Sequence, residues 1–130
     1  MPAGSHSDIS SFLAVAQERS FTRAAARLGM VYGPGVTTVS EVFAAIQAGA
    51  AMVKLFPAEM IPPAAVKAMR AVLPASALVV PVGGITPDNM AVYLAAGANG
   101  FGLGSALYRS GLTAEEVGAN ARAFVAALKG

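Results

Sequence analysis

Met52-Val53-Lys54-Leu55-Phe56-Pro57-Ala58-Glu59 reads as a short β-strand that breaks into a loop at a proline, with a lysine in the middle of an apolar run. Strand alternation places Met52, Lys54 and Phe56 on one face and Val53 and Leu55 on the other, so the ammonium stands between apolar neighbours. A chemical reason for such a lysine is Schiff-base formation. Desolvation weakens the preference for the charged form, and a free amine attacks a ketone. Spacing alone favours the plainer reading, a lysine that merely reaches solvent at the strand end.

On either side the chain repeats this texture: short β-branched or apolar runs, each followed by a capped, Ala-rich amphipathic helix. That is the rhythm of parallel βα units. Upstream, a strand over Val31 to Val36 leads to a helix from about Val39 to Ala48, with Thr38 and Glu41 at capping-box spacing and Gly49 as the stop. The strand over Met52 to Phe56 leads to a helix beginning near Pro63. Downstream, a strand over Leu78 to Val82 precedes a helix opened by Thr86, Pro87 and Asp88. Another, over Gly100 to Leu103, precedes a closing helix capped by Thr113 and Glu116. Gly49-Ala50 recurs as Gly97-Ala98, and Lys54 is offset from Gly102 by that same interval, a weak repeat of paired units.

Composition supports a folded core. Of 130 residues 55% are hydrophobic and 12% charged, too apolar for a disordered tail. The net charge is +2 and the nine basic residues are scattered, so nothing gathers a nucleic-acid or acidic-membrane surface. With no cysteine there is neither a disulfide nor a thiolate metal site, and no metal is assigned. No apolar run reaches the roughly 18 to 20 residues that span a bilayer, and the expected location is the cytoplasm.

Two strand ends are glycine-rich: Val82-Gly83-Gly84-Ile85 and Gly102-Leu103-Gly104-Ser105. Glycines make tight βα turns. They also let backbone N–H groups approach an anion, and barrel phosphate sites are commonly built from two consecutive strand ends of this kind.

Taken in order, four segments resemble the last four βα units of 2-keto-3-deoxy-6-phosphogluconate and 6-phosphogalactonate aldolases. They are PGVTTVSE (Pro34–Glu41), VKLFPAE (Val53–Glu59), PVGGITP (Pro81–Pro87) and GLGS (Gly102–Ser105), and the likeness runs from about Met30 to the end. The resemblance implies half of a TIM-type (βα)8 barrel. It also implies a class I, Schiff-base aldolase that needs no cofactor and cleaves a phosphorylated keto-deoxy sugar acid to pyruvate and glyceraldehyde 3-phosphate. By the same resemblance Lys54 matches the Schiff-base lysine, Phe56 and Thr37 match substrate-binding positions, and Gly83, Gly84, Gly104 and Ser105 match positions around the phosphate. The family's general acid/base glutamate and an accompanying arginine belong to early strands with no counterpart here, so the expectation is weak or no activity. Glu59 reads as a loop-orienting carboxylate rather than the proton carrier.

Residues 1–7 read as a leader and residues 8–29 as a separate helical fragment. Phe12-Leu13-Ala14-Val15-Ala16 followed by Ser20–Gly29 (SFTRAAARLG) resembles the start of a LysR-type helix-turn-helix. The similarity stops before the recognition helix, which argues against DNA binding. Arg19, Arg23 and Arg27 read as a solvated face. The chain thus reads as a chimera, natural or artificial, with residues 30–130 as the half-barrel. Four strands cannot close a barrel, so either the N-terminal helices cover the open face or chains associate as a homo-oligomer. The expected ligands are pyruvate and a phosphate or phosphorylated small molecule. A folded scaffold without a substrate is the alternative, and a DNA-binding regulator fragment the weakest reading.

Overall fold

The computed structural model describes the backbone of residues 4–130 and the side chains of residues 8–130. Of the leader read over residues 1–7, Met1–Ala3 lie outside the described residues, and Gly4 already begins helix α1 (Gly4–Glu18). A tight turn follows, with Arg19 at φ 49°, and the Ser20 hydroxyl accepts from the Arg23 N–H at 3.2 Å to open α2 (Phe21–Arg27). Helix, turn and helix stand as the sequence reads them. Arg23 and Arg27 are exposed, in keeping with a solvated face, and both also pair with α1. Arg23 donates to the Glu18 carbonyl at 2.8 Å, and Arg27 donates to Gln17 at 2.8 Å and Glu18 at 3.2 Å, which fastens α2 to the end of α1.

Beyond Gly33 the chain folds into β1 (Gly35–Val36), α3 (Val39–Gln47), β2 (Val53–Leu55) and a 3-10 turn over Ala58–Met60. There follow α4 (Pro63–Val72), β3 (Val79–Pro81), α5 (Met90–Ala95) and α6 (Ala114–Lys129). The sheet is parallel in the order β1-β2-β3, with Gly35 opposite Lys54 and Lys54 opposite Val80.

Four strands were expected, and the sheet has three. The run Gly100–Leu103 contributes a single parallel bridge, Val82 to Gly102, where the Gly102 N–H donates to the Pro81 carbonyl at 2.9 Å. Glycines give a strand little to pack and a large entropic cost, which reduces it to this point of contact. A Cβ at Gly102 would collide with the Val82 side chain, so the approach needs glycine. The strand read over Val31 to Val36 shortens to two residues because Pro34 has no N–H to give the ladder.

Period-two alternation sorts the sheet residues. Val36, Val53, Leu55, Val79 and Pro81 face the helices and are buried, where Val42 of α3, Val66 of α4, Tyr93 of α5 and Phe124 of α6 meet them. Each such side chain contributes roughly 1.5–3 kcal/mol of burial. The other face presents Gly35, Lys54 and Val80, none of them buried. The N-terminal helices do not cover it. Ala26 of α2 lies against Gly49, at the N-terminal end of β2, and Ile9, Phe12, Leu13 and Phe21 remain 48–71% exposed.

Both capping boxes form. The Thr38 N–H and hydroxyl donate to Glu41 at 2.8 and 2.9 Å, and those of Thr113 donate to Glu116 at 2.7 and 2.9 Å. The Gly49–Gly97 repeat is also structural: both have positive φ, and each N–H closes its helix on a carbonyl three residues back. The helix expected to open at Thr86-Pro87-Asp88 instead starts at Met90, after a turn held by Asn89.

Two consequences are measurable. Leu55→Ala removes a fully buried side chain and lowers stability by about 2–5 kcal/mol; urea unfolding showing under about 1 kcal/mol would contradict its central place. Hydrogen bonds from the backbone of Thr37 and Thr38 and from the Thr38 hydroxyl hold Glu41 below the ordinary 4.5, and the Thr113 N–H and hydroxyl, with the Arg109 charge, do the same for Glu116. The capping stability is therefore full above pH 4.5 and is lost as pH falls through the depressed folded values. Unfolding of E41Q/E116Q, followed from neutral pH downward, shows a shallower acid limb than the parent.

Candidate functional site

Lys54 sits on the middle strand, its N–H bonded to the Pro34 carbonyl at 2.8 Å. Its register partner is a glycine, and a Cβ at Gly35 would stand 3.1 Å from Lys54 Cε. The missing side chain is the space through which the lysine stem runs. The ammonium lies 5.2 Å from the centroid of the Phe56 ring, a cation–π arrangement. Of its two expected apolar flanks only Phe56 attends it, since Met52 packs at Gly33. Lys54 is half-buried rather than enclosed. Thr37 donates its hydroxyl to the Phe56 carbonyl at 2.7 Å and so fixes the end of β1 to the residue after β2.

Beside this face lies a concavity of about 400 Å3 at the C-terminal ends of the strands. Gly83, Gly84, Gly104 and Ser105 all line it, together with Phe56 and two charged residues, Glu59 and Arg109. Phe56 is the hinge of the site, its ring shared between the lysine and the concavity. Gly83 and Gly84 have φ of 106° and 64°, and a Cβ on either would run into Glu59. The Glu59 carboxylate is thus laid directly on the paired glycines.

Two side chains that sequence reasoning passed over hold these loops, and a third lines the concavity. Asn89 donates to the Gly84 carbonyl at 2.8 Å and accepts from the Thr86 N–H at 3.0 Å. The buried Tyr93 hydroxyl lies 3.0 and 3.1 Å from the carbonyls of Ala58 and Ile61, which steadies the turn that carries Glu59. Burial, and secondly the Glu59 charge, push the Tyr93 phenol above its ordinary value, so it stays a neutral donor. Arg109 is the third. Only its position four residues beyond Ser105 in SALYR hinted at it.

A larger apolar groove of about 490 Å3 lies between α1 and α2, lined by Phe12, Phe21, Leu28 and Met30 among others. It contains no charged side chain and is built from different elements than the lysine face.

The family model for KDPG and KHG aldolases matches residues 12–122. This chain belongs to the KDPG and KHG aldolase family. It is 45% identical over 107 residues to the 2-dehydro-3-deoxy-6-phosphogalactonate aldolase of Escherichia coli K12, covering 82% of this chain and 52% of that one. A solved structure described as native KDPGal superposes with TM-score 0.81 at 44% identity, over 84% of this chain and 53% of that one. A cube-shaped, highly porous protein cage designed by fusing symmetric oligomeric domains also matches at TM-score 0.81 and 44% identity, over 84% of this chain and 40% of its own.

The chain spans about half the length of the relatives it matches. Its parallel sheet with helices over one face is a partial TIM-type fold. The family match begins at Phe12 and runs across Gly29–Met30, where the sequence reads as changing origin.

The glycines differ in what they tolerate. Gly84→Ala costs about 1–2 kcal/mol, and adding Glu59→Ala restores only the steric part, because the positive φ persists. Gly104→Ala, with open space and no positive φ, stays within about 0.5 kcal/mol. Thermal unfolding of the three variants checks this, and equal losses at Gly84 and Gly104 would refute it.

Proposed function

We propose that this chain carries the Schiff-base and phosphate-binding half of a class I aldolase site for a 2-keto-3-deoxy-6-phospho sugar acid. The observation that carries the reading is Lys54 standing over Gly35 beside Phe56, next to the concavity lined by Gly83, Gly84, Gly104 and Ser105. Lys54 Nζ adds to the substrate ketone, and the carbinolamine loses water to an iminium. That cation accepts the electron pair when the carbon–carbon bond breaks and the adjacent hydroxyl gives up its proton. Reprotonation of the enamine and hydrolysis release pyruvate and return the amine; glyceraldehyde 3-phosphate leaves with the phosphate.

Phe56 and Thr37 position the pyruvyl end, Thr37 through the carbonyl of Phe56. The proton needs a base. Among these 130 residues the carboxylate that the family likeness assigns to earlier strands has no counterpart, and Glu59 lies on the glycine loop. Missing acid/base catalysis lowers the rate by about 10²- to 10⁴-fold, so these residues alone turn over weakly or not at all. No cofactor takes part. The helix-turn-helix-like residues 8–29, read as a fragment of LysR-type origin joined to residues 30–130, contribute no DNA-reading helix. The partly open lysine face and the apolar groove of α1 and α2 support a homo-oligomer, working in the cytoplasm.

The test is borohydride reduction with pyruvate, followed by intact-mass analysis of the protein and of Lys54→Ala. A pyruvyl adduct is expected on the parent and not on the variant. No adduct on the parent would leave a folded scaffold whose aldolase likeness is ancestry alone.

A further inference from the structure

The concavity beneath the two glycine loops holds one guanidinium and one carboxylate; the rest of its lining is glycine, hydroxyl or apolar. Arg109 follows a turn that fixes its place. Leu107 and Tyr108 donate to the Gly104 carbonyl at 2.9 and 3.0 Å, Asn120 of α6 donates to the Leu107 carbonyl at 3.1 Å, and Leu112 donates to the carbonyl of Arg109 itself at 3.3 Å. The residue that ends the GLGS segment and the arginine are thus parts of one pinned loop.

Arg109 forms no salt bridge among the described residues, although its charge acts on Glu116 across an adjoining concavity. It stands between this concavity and an adjoining one of about 340 Å3 that contains Glu116. The Glu116 carboxylate is committed to the N–H and hydroxyl of Thr113. The ion pairs among the described residues are those of Arg23 and Arg27 with Glu18, so no carboxylate closes directly on the Arg109 guanidinium. Glu59 is the opposite case, since its carboxylate lies against the backbone of Gly83 and Gly84, where an anion would approach.

We propose that Arg109 is the cation that binds the substrate phosphate, and that Glu59 weakens that affinity by opposing charge, so the pair sets how tightly the site holds a phosphate dianion. The proposal rests on the reading of Gly83, Gly84, Gly104 and Ser105 as the phosphate loops. Glycine N–H groups hold an anion by direction, without net charge. With Glu59 present and Arg109 neutralised, the concavity would be net negative and would repel a phosphate. A guanidinium offers two parallel N–H donors to two phosphate oxygens, which an ammonium does not.

Isothermal titration calorimetry of the full chain with inorganic phosphate tests this. Arg109→Gln is expected to weaken binding by on the order of 10-fold or more, Arg109→Lys to recover part of the loss, and Glu59→Gln to tighten binding about 3-fold or more. Arg122→Gln makes the same change of net charge away from the concavity and matches the parent. Loss in Arg109→Gln no greater than in Arg122→Gln overturns the proposal, as does a parent that binds no phosphate at about 10 mM. Pyruvate carries no phosphate, so trapping separates the two claims. An adduct at Lys54 without Arg109-dependent phosphate binding defeats this inference alone; Arg109-dependent binding without an adduct defeats the Schiff-base reading alone.

Discussion

The parallel pairing of β2 with both its neighbours is the constraint on which the rest depends. Two hydrogen-bonded neighbours fix the register of Val53-Lys54-Leu55, and a period of two then leaves no freedom. If Val53 and Leu55 enter the helix-covered core, Lys54 must project from the other face. The fully buried Leu55 and the half-buried lysine are thus one decision, enforced by burial of the first. Gly35 completes it, since any side chain there would crowd the lysine stem at Cε.

Strand ends show a second economy. The loops that leave β2 and β3 are tied to each other rather than to solvent. Ala58 donates to the Val82 carbonyl at 2.8 Å, Val82 to that of Leu55 at 2.9 Å, and Tyr93 reaches from α5 to the turn after β2. Asn89 performs the same service for the paired glycines. These are local polar groups spent on holding loop backbone, which keeps the lysine, the aromatic ring and the glycine loops in one fixed relation without a large covering domain. The lysine face itself remains partly open, and α1 and α2 stand at the opposite end of β2 with apolar side chains exposed. Both surfaces bear on how the chain behaves in solution.

Electrostatically the site is nearly balanced. Lys54 has an aromatic face beside it, and Arg109 shares its concavity with Glu59. Glu41 and Glu116 are used to cap helices and Glu18 pairs with Arg23 and Arg27, so none of the three closes directly on Lys54 or Arg109.

By itself the sequence determined what is local. Thr38 with Glu41 and Thr113 with Glu116 announce their helices at capping-box spacing, Gly49 announces a helix end, and alternation about Lys54 separates core from open face. All of these depend on neighbours within a few residues. The motif around VKLFPAE also carried the family. Only the tertiary structure decided what depends on distant partners. It reduced the fourth strand to one bridge, because Gly102 meets Val82 only after folding. It placed α2 against Gly49 rather than over the lysine face, and it set Asn89, Tyr93 and Arg109 around loops from other elements. Those residues have no mark in the local pattern, since a hydrogen bond or a shared concavity between segments far apart in the chain exists only once the sheet has brought them together.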